Sequence, residues 1–247
     1  MAAAGARTAV AAPWRRSGDT TRTDLIGLTL IAVAGLAWWL TWTAPMPMSL
    51  TGFLLGWLVM MTAMMLPALV PVVALYARAA ARGVVAPVGV FLAGYLLVWS
   101  AAGIPAYAGW RALTPTATSG STAQARWAGA ALLLAAAYEL TPLKTRCLRG
   151  CRSPVTAFTA VQGSLARPSV ALQTGARNGL WCLGCCWAFM TVLVAVGLMH
   201  PWWMVAVAAV ILAEKALPPH PLIPRAVAGL LLAGGLVLLS TPSVLMS

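Results

Sequence analysis

The stretch LTGFLLGWLVMMTAMMLPALVPVVALY, Leu50–Tyr76, contains no charged side chain. As a helix rising 1.5 Å per residue it is long enough to cross the roughly 30 Å of a bilayer's hydrocarbon. Pro67 and Pro71 should kink or thin it, because each removes a backbone donor and clashes one turn back. Working outward, further apolar runs occupy Leu25–Thr43, Val84–Trp110, Arg126–Leu140, a segment from about Asn178 to His200, Trp202–Leu217 and Arg225–Leu239. The chain is 61% hydrophobic and 8% charged, with a mean hydropathy of +0.88; soluble domains carry about 25% charged residues. The expectation is an all-α, polytopic transmembrane helix bundle of about six or seven spans, with the lipid bilayer as its surroundings.

Orientation follows from the basic residues, of which there are sixteen against four acidic ones. In a soluble chain that excess could suggest nucleic acid, but these cations fall between apolar runs and are read as topology signals, with no nucleic-acid partner. Arg7, Arg15, Arg16, Arg22, Arg78, Arg82, the six in the stretch from Lys144 to Arg177, Lys215 and Arg225 fall on one side; Arg111 and Arg126 fall on the other. This places the N-terminus in the cytoplasm. Residues 1–24, which lack the apolar core of a signal peptide, read as a mobile basic cytoplasmic tail. Residues 25–247 read as one membrane domain with a cytoplasmic loop around 142–177. Trp38, Trp39 and Trp42 read as an interfacial belt.

Three of the five cysteines lie in Trp181-Cys182-Leu183-Gly184-Cys185-Cys186-Trp187. In a helix Cys182 neighbours both Cys185 and Cys186, three and four residues on. A single buried cysteine is ordinarily a packing residue; three within five residues point to metal or redox chemistry. With the topology above, the cluster falls in the first two turns of its helix, toward the cytoplasm. Met60, Met61, Met64 and Met65 reach the same depth from the second run, and thioethers facing thiolates favour Cu(I); as packing residues they need no such role.

Glu139 and Glu214, the only acidic residues beyond Asp24, come to that depth as well. A carboxylate within a span is costly unless paired, which makes both candidate ligands. The competing reading is an ion pair, Glu139 with Lys144 or Arg146 and Glu214 with Lys215 or Arg225. Cys147 and Cys151 sit four residues apart among arginines, whose charge is expected to lower their thiol pKa, as suits metal uptake or a redox pair. His200 and His220, each beside a proline, read as solvated interfacial residues.

These motifs are shared. Met60–Pro67, Tyr138–Lys144 followed by Cys147–Pro154, Gly179–Trp187 and Glu214-Lys215 resemble a bacterial family of integral membrane proteins described as predicted metal-binding, the domain of unknown function 2182. The resemblance covers roughly residues 50–217. It implies metal binding in a multi-pass protein of the bacterial inner (plasma) membrane and names neither metal nor reaction.

From the residues, the leading expectation is copper handling, in delivery, storage or insertion into a partner membrane metalloenzyme or larger complex. Its metal set comprises Cys182, Cys185, Cys186, Glu139, Glu214, Met61, Met64 and Met65. Zinc is the alternative metal, since three thiolates and a carboxylate suit it also. No catalytic residue is assigned. Two further readings stay open: a membrane thiol-disulfide or quinone oxidoreductase working between Cys147/Cys151 and Cys182/Cys185, and an accessory structural subunit of a membrane oxidase or monooxygenase.

Overall fold

The computed structural model describes residues 17–44, 49–81, 87–113, 121–152, 167–196, 201–217 and 222–241. Among these residues there are eight helices and no strand: α1 (Ser17–Thr43), α2 (Leu50–Ala81), α3 (Val88–Leu113), α4 (Thr122–Glu139), α5 (Pro142–Arg152), α6 (Pro168–Val196), α7 (Pro201–Ala216) and α8 (Leu222–Ser240). Five contain segments long and apolar enough to cross a membrane: Asp24–Thr43, Leu50–Arg78, Val88–Leu113, Pro168–Val196 and Leu222–Ser240. The remaining expected spans correspond to α4 and α7, which are only 18 and 16 residues long. Residues 1–16 of the expected tail, Arg82, residues 153–166 of the expected loop, His200 and His220 lie outside the described residues.

Three boundaries differ from expectation. Helix α1 starts at Ser17, inside the stretch read as a tail. Helix α6 starts at Pro168, ten residues before Asn178; proline is well suited to a first helical turn, where its missing N–H goes unused. Cys182 is therefore about four turns into its helix, not within the first two. Within the expected loop, Pro142 opens α5, and the Thr141 hydroxyl accepts from the Lys144 N–H at 3.2 Å as an N-cap. Lys144, Cys147, Gly150 and Cys151 recur at helical spacing on its buried face, while Arg146 and Arg149 point outward. Helix α2 runs through both Pro67 and Pro71 as one element.

Helix α1 packs on α2, α2 on α3 and α7, α3 on α6, and α6 in turn on α4 and α5; α8 covers α4. The α3–α6 crossing is set by small residues. A methyl at Gly175 would fall on the Phe91 carbonyl oxygen and one at Gly94 on that of Leu172, so only glycine lets the backbones meet this closely. Aromatic residues fill the core beside it: Phe53 stacks on Trp57, whose indole N–H donates to the Trp99 carbonyl at 2.9 Å. Helix α5 approaches α6 by a similar device. A Cβ at Gly150 would lie 2.7 Å from the Trp181 ring, and one at Gly184 2.7 Å from Cys147 Sγ. The glycine within the cysteine motif is thus the seat of a thiol from another helix.

Candidate metal centre

Cys182 and Cys185 are held on one face of α6 by their three-residue spacing, and the close α5–α6 crossing brings Cys151 to them. The Sγ atoms of Cys151, Cys182 and Cys185 all lie within 4.8 Å of one another, and all three residues are buried. Three sulfurs arranged trigonally at about 2.3 Å from one ion stand about 4.0 Å apart, so this set closes on a metal with shifts below about 1 Å.

Cys182 is the best-held member. Its sulfur accepts from the Tyr95 hydroxyl at 3.0 Å and from Lys215 Nζ at 3.0 Å, and it meets Met65 Sδ at 3.8 Å. Lys215 Nζ also lies 3.9 Å from Met65 Sδ. Helices α2, α3 and α7 thereby each contribute one group to a sulfur on α6. An ammonium beside Cys182 would balance the charge of a metal-bound thiolate, and a set of thiolates with a nearby thioether suits a soft monovalent ion.

Other predicted residues have different surroundings. Cys185 and Cys186 both donate back to the Cys182 carbonyl, at 3.1 and 2.9 Å, and Cys186 lies beside Cys182 and Cys185, outside the three sulfurs that are all within 4.8 Å of one another. Met60, Met61 and Met64 are buried in the same hydrophobic core as the thiols, and Met65 touches Cys182. Cys147 lies one turn from Cys151 on α5, against Gly184.

Glu139 and Glu214 converge, but on a cation. Lys144 Nζ donates to Glu139 Oε1 and, at 2.8 Å, to both Glu214 oxygens, and it lies 4.8 Å from the centre of the Phe189 ring. All three side chains are at most 5% exposed. Of the pairs weighed from sequence, Glu139 with Lys144 forms; Glu214 takes Lys144 as well, instead of Lys215 or Arg225. The physical reason is the direction of Lys215, which is turned onto Cys182. The carboxylates form an ion-paired neighbour to the sulfur group, and Glu139 Oε2 has no hydrogen-bond partner among the described residues.

The expected lowering of the α5 thiols is reversed. Burial pushes Cys147 above its ordinary value. Cys151 is held well above it, first by its hydrogen bonds with Cys182 and Cys185 and then by burial. Arg146 and Arg149 are exposed, where water screens them, and Arg152 is turned onto the Lys215 and Leu217 carbonyls.

Tyr95 and the ligand-facing role of Lys215 were not foreseen. A lysine ending an apolar helix and a tyrosine inside another were signals of a kind, since polar groups buried in apolar helices need partners. Nothing local named Cys182 as that partner.

Fold and site together define an all-helical protein with a buried thiol cluster able to hold a soft metal ion. A family model described as "PpoB2: Copper chaperone" matches residues 54–238, well over half the chain, and the chain belongs to this family. The match covers α5 and the helices that carry the sulfur cluster, and its description supports copper as the metal. No curated protein and no solved structure matches the chain.

Proposed function

We propose that this protein is a membrane-embedded copper chaperone that holds Cu(I) on Cys151, Cys182 and Cys185 and delivers it to a partner membrane metalloenzyme such as an oxidase or monooxygenase. The observation that carries this reading is the convergence of three buried thiols from α5 and α6 beside Met65. Soft sulfur ligands select Cu(I), whereas zinc would ordinarily take a fourth protein ligand or an open, hydrated position. Copper is the cargo, so the site has to bind it without making release prohibitively slow.

Membrane insertion is supported by the exterior of the bundle. Leu28 on α1 is 63% exposed and Leu230 on α8 is 75% exposed, on helices with few charges. Such faces suit hydrocarbon. On this reading residues 25–247 form one membrane domain of the bacterial inner membrane, with residues 1–24 as its basic cytoplasmic tail. The N-terminus is cytoplasmic, and with α4 and α7 also crossing, the thiol cluster lies near the middle of α6, covered by α5. Trp42 and Trp202, whose rings meet edge to face at 6.0 Å, then mark the opposite interface.

The test is anaerobic loading of purified protein with Cu(I), followed by metal analysis. About one copper per chain is expected, falling to background in a Cys151→Ser, Cys182→Ser, Cys185→Ser variant and persisting in Cys186→Ser. Equal copper in the wild-type and triple-serine proteins overturns the assignment.

A further inference from the structure

The three sulfurs are not held alike, and that asymmetry bears on how a buried ion leaves. Cys182 and Cys185 are 1% and 2% exposed and sit in the middle of the 29-residue α6, which packs against α3, α4, α5 and α7. Cys182 is further pinned by Tyr95 and Lys215. Cys151 is 8% exposed and sits near the end of α5, a helix of 11 residues. A helix that short is marginal without tertiary support.

The apolar support α5 receives comes through small side chains, and its two ends are held by polar ones. Its buried positions are Lys144, Cys147, Gly150 and Cys151, with Leu148 partly buried; no large aliphatic or aromatic side chain anchors it fully. Lys144 holds its first turn to Glu139 and Glu214. Arg152 holds its last turn to the end of α7, donating from Nε to the Lys215 carbonyl at 3.2 Å and from a terminal nitrogen to that of Leu217. The Lys144 ion pair is buried and costly to break, so it serves as the pivot, whereas the half-exposed Arg152 bonds can be exchanged for bonds to water at small net cost.

Resting on the copper reading above, we infer that α5 is a hinged cover carrying an exchangeable ligand: Cys182 is the anchoring sulfur, positioned by Tyr95 and Lys215, and Cys151 is the sulfur that leaves when α5 lifts. Lifting α5 both uncovers the ion and takes its coordination from three protein sulfurs to two. An acceptor thiolate then forms its bond to Cu(I) in the position Cys151 has left. The ion stays Cu(I) throughout, and no electron is transferred. The Arg152 contacts to α7 are the latch.

Two measurements test this. Copper-free protein, kept anaerobic in detergent, is alkylated with N-ethylmaleimide for timed intervals and each cysteine is followed by peptide mass spectrometry. Cys147 and Cys151 should be modified at least about tenfold faster than Cys182 and Cys185; equal rates at Cys151 and Cys182 overturn the hinge. Protein loaded with Cu(I) is then mixed with bicinchoninate. Arg152→Ala should release copper at least about threefold faster at unchanged copper content, with Arg152→Lys intermediate; an unchanged rate overturns the latch. Rapid alkylation of Cys186 in Arg152→Ala would reveal a disrupted fold, in which case the wild-type alkylation order decides. If the wild-type protein takes up no copper, the copper reading fails while the alkylation order still reports on α5.

Discussion

Lys215 Nζ lies 3.0 Å from Cys182 Sγ, while the adjacent Glu214 turns the other way to Lys144. Successive residues at the end of α7 thus serve two buried polar groups. Groups that orient and electrostatically support a metal ligand commonly change affinity by about 10–100-fold when removed. Lys215→Met should weaken Cu(I) binding by that order while leaving one copper per chain at saturation, as read by competition with a chromophoric Cu(I) chelator. An unchanged affinity would remove Lys215 from the site.

The carboxylates give an independent test. If Glu139 and Glu214 serve Lys144 and not the metal, Lys144→Met leaves two buried carboxylates without their cation and should destabilise the protein by about 3–5 kcal/mol. Adding Glu139→Gln and Glu214→Gln to Lys144→Met should restore much of that loss. Thermal unfolding in detergent checks both outcomes. The restored triple variant should still bind copper at wild-type stoichiometry; loss of copper would return the glutamates to the ligand set.

Gly184 separates Cys182 from Cys185 and receives Cys147 from α5. Gly184→Ala places a methyl where that sulfur lies and should push α5 outward. Overpacking of this kind typically costs about 1–3 kcal/mol. X-ray absorption of the copper-loaded variant is expected to show fewer sulfur neighbours than wild type, because Cys151 no longer reaches the ion. An identical sulfur count would mean that α5 accommodates the methyl without moving its ligand.

Met65→Leu nearly conserves volume and should cost less than about 1.5 kcal/mol in stability. Its effect on copper distinguishes a ligand from a neighbour. A lost long sulfur contact in the absorption spectrum, together with weaker Cu(I) binding, is expected if the thioether 3.8 Å from Cys182 Sγ joins the ion. A spectrum and affinity like those of the wild type would make Met65 a packing residue.

How far the sequence reaches is clear from individual residues. Leu50–Tyr76 and its counterparts determine helices, because long uncharged runs satisfy their backbone polar groups only within themselves, and this follows from composition alone. The pairing of Cys182 with Cys185 is equally local, since helical periodicity places residues three apart on one face whatever surrounds them. The sequence also set Met60–Met65, the Cys182–Cys186 cluster and the two glutamates at one depth, inferred from charge, and read Cys147/Cys151 separately as an uptake or redox pair. Tertiary structure alone decided which of these meet. Cys151 joins Cys182 and Cys185 because Gly150 and Gly184 let α5 close on one side of α6. Lys144 takes both glutamates because Lys215 is turned to a thiol, and Tyr95 reaches Cys182 from 87 residues away because glycines bring α3 against α6. These partners are selected by helix crossings and by competition among buried charges, neither of which is written in the spacing of any one segment.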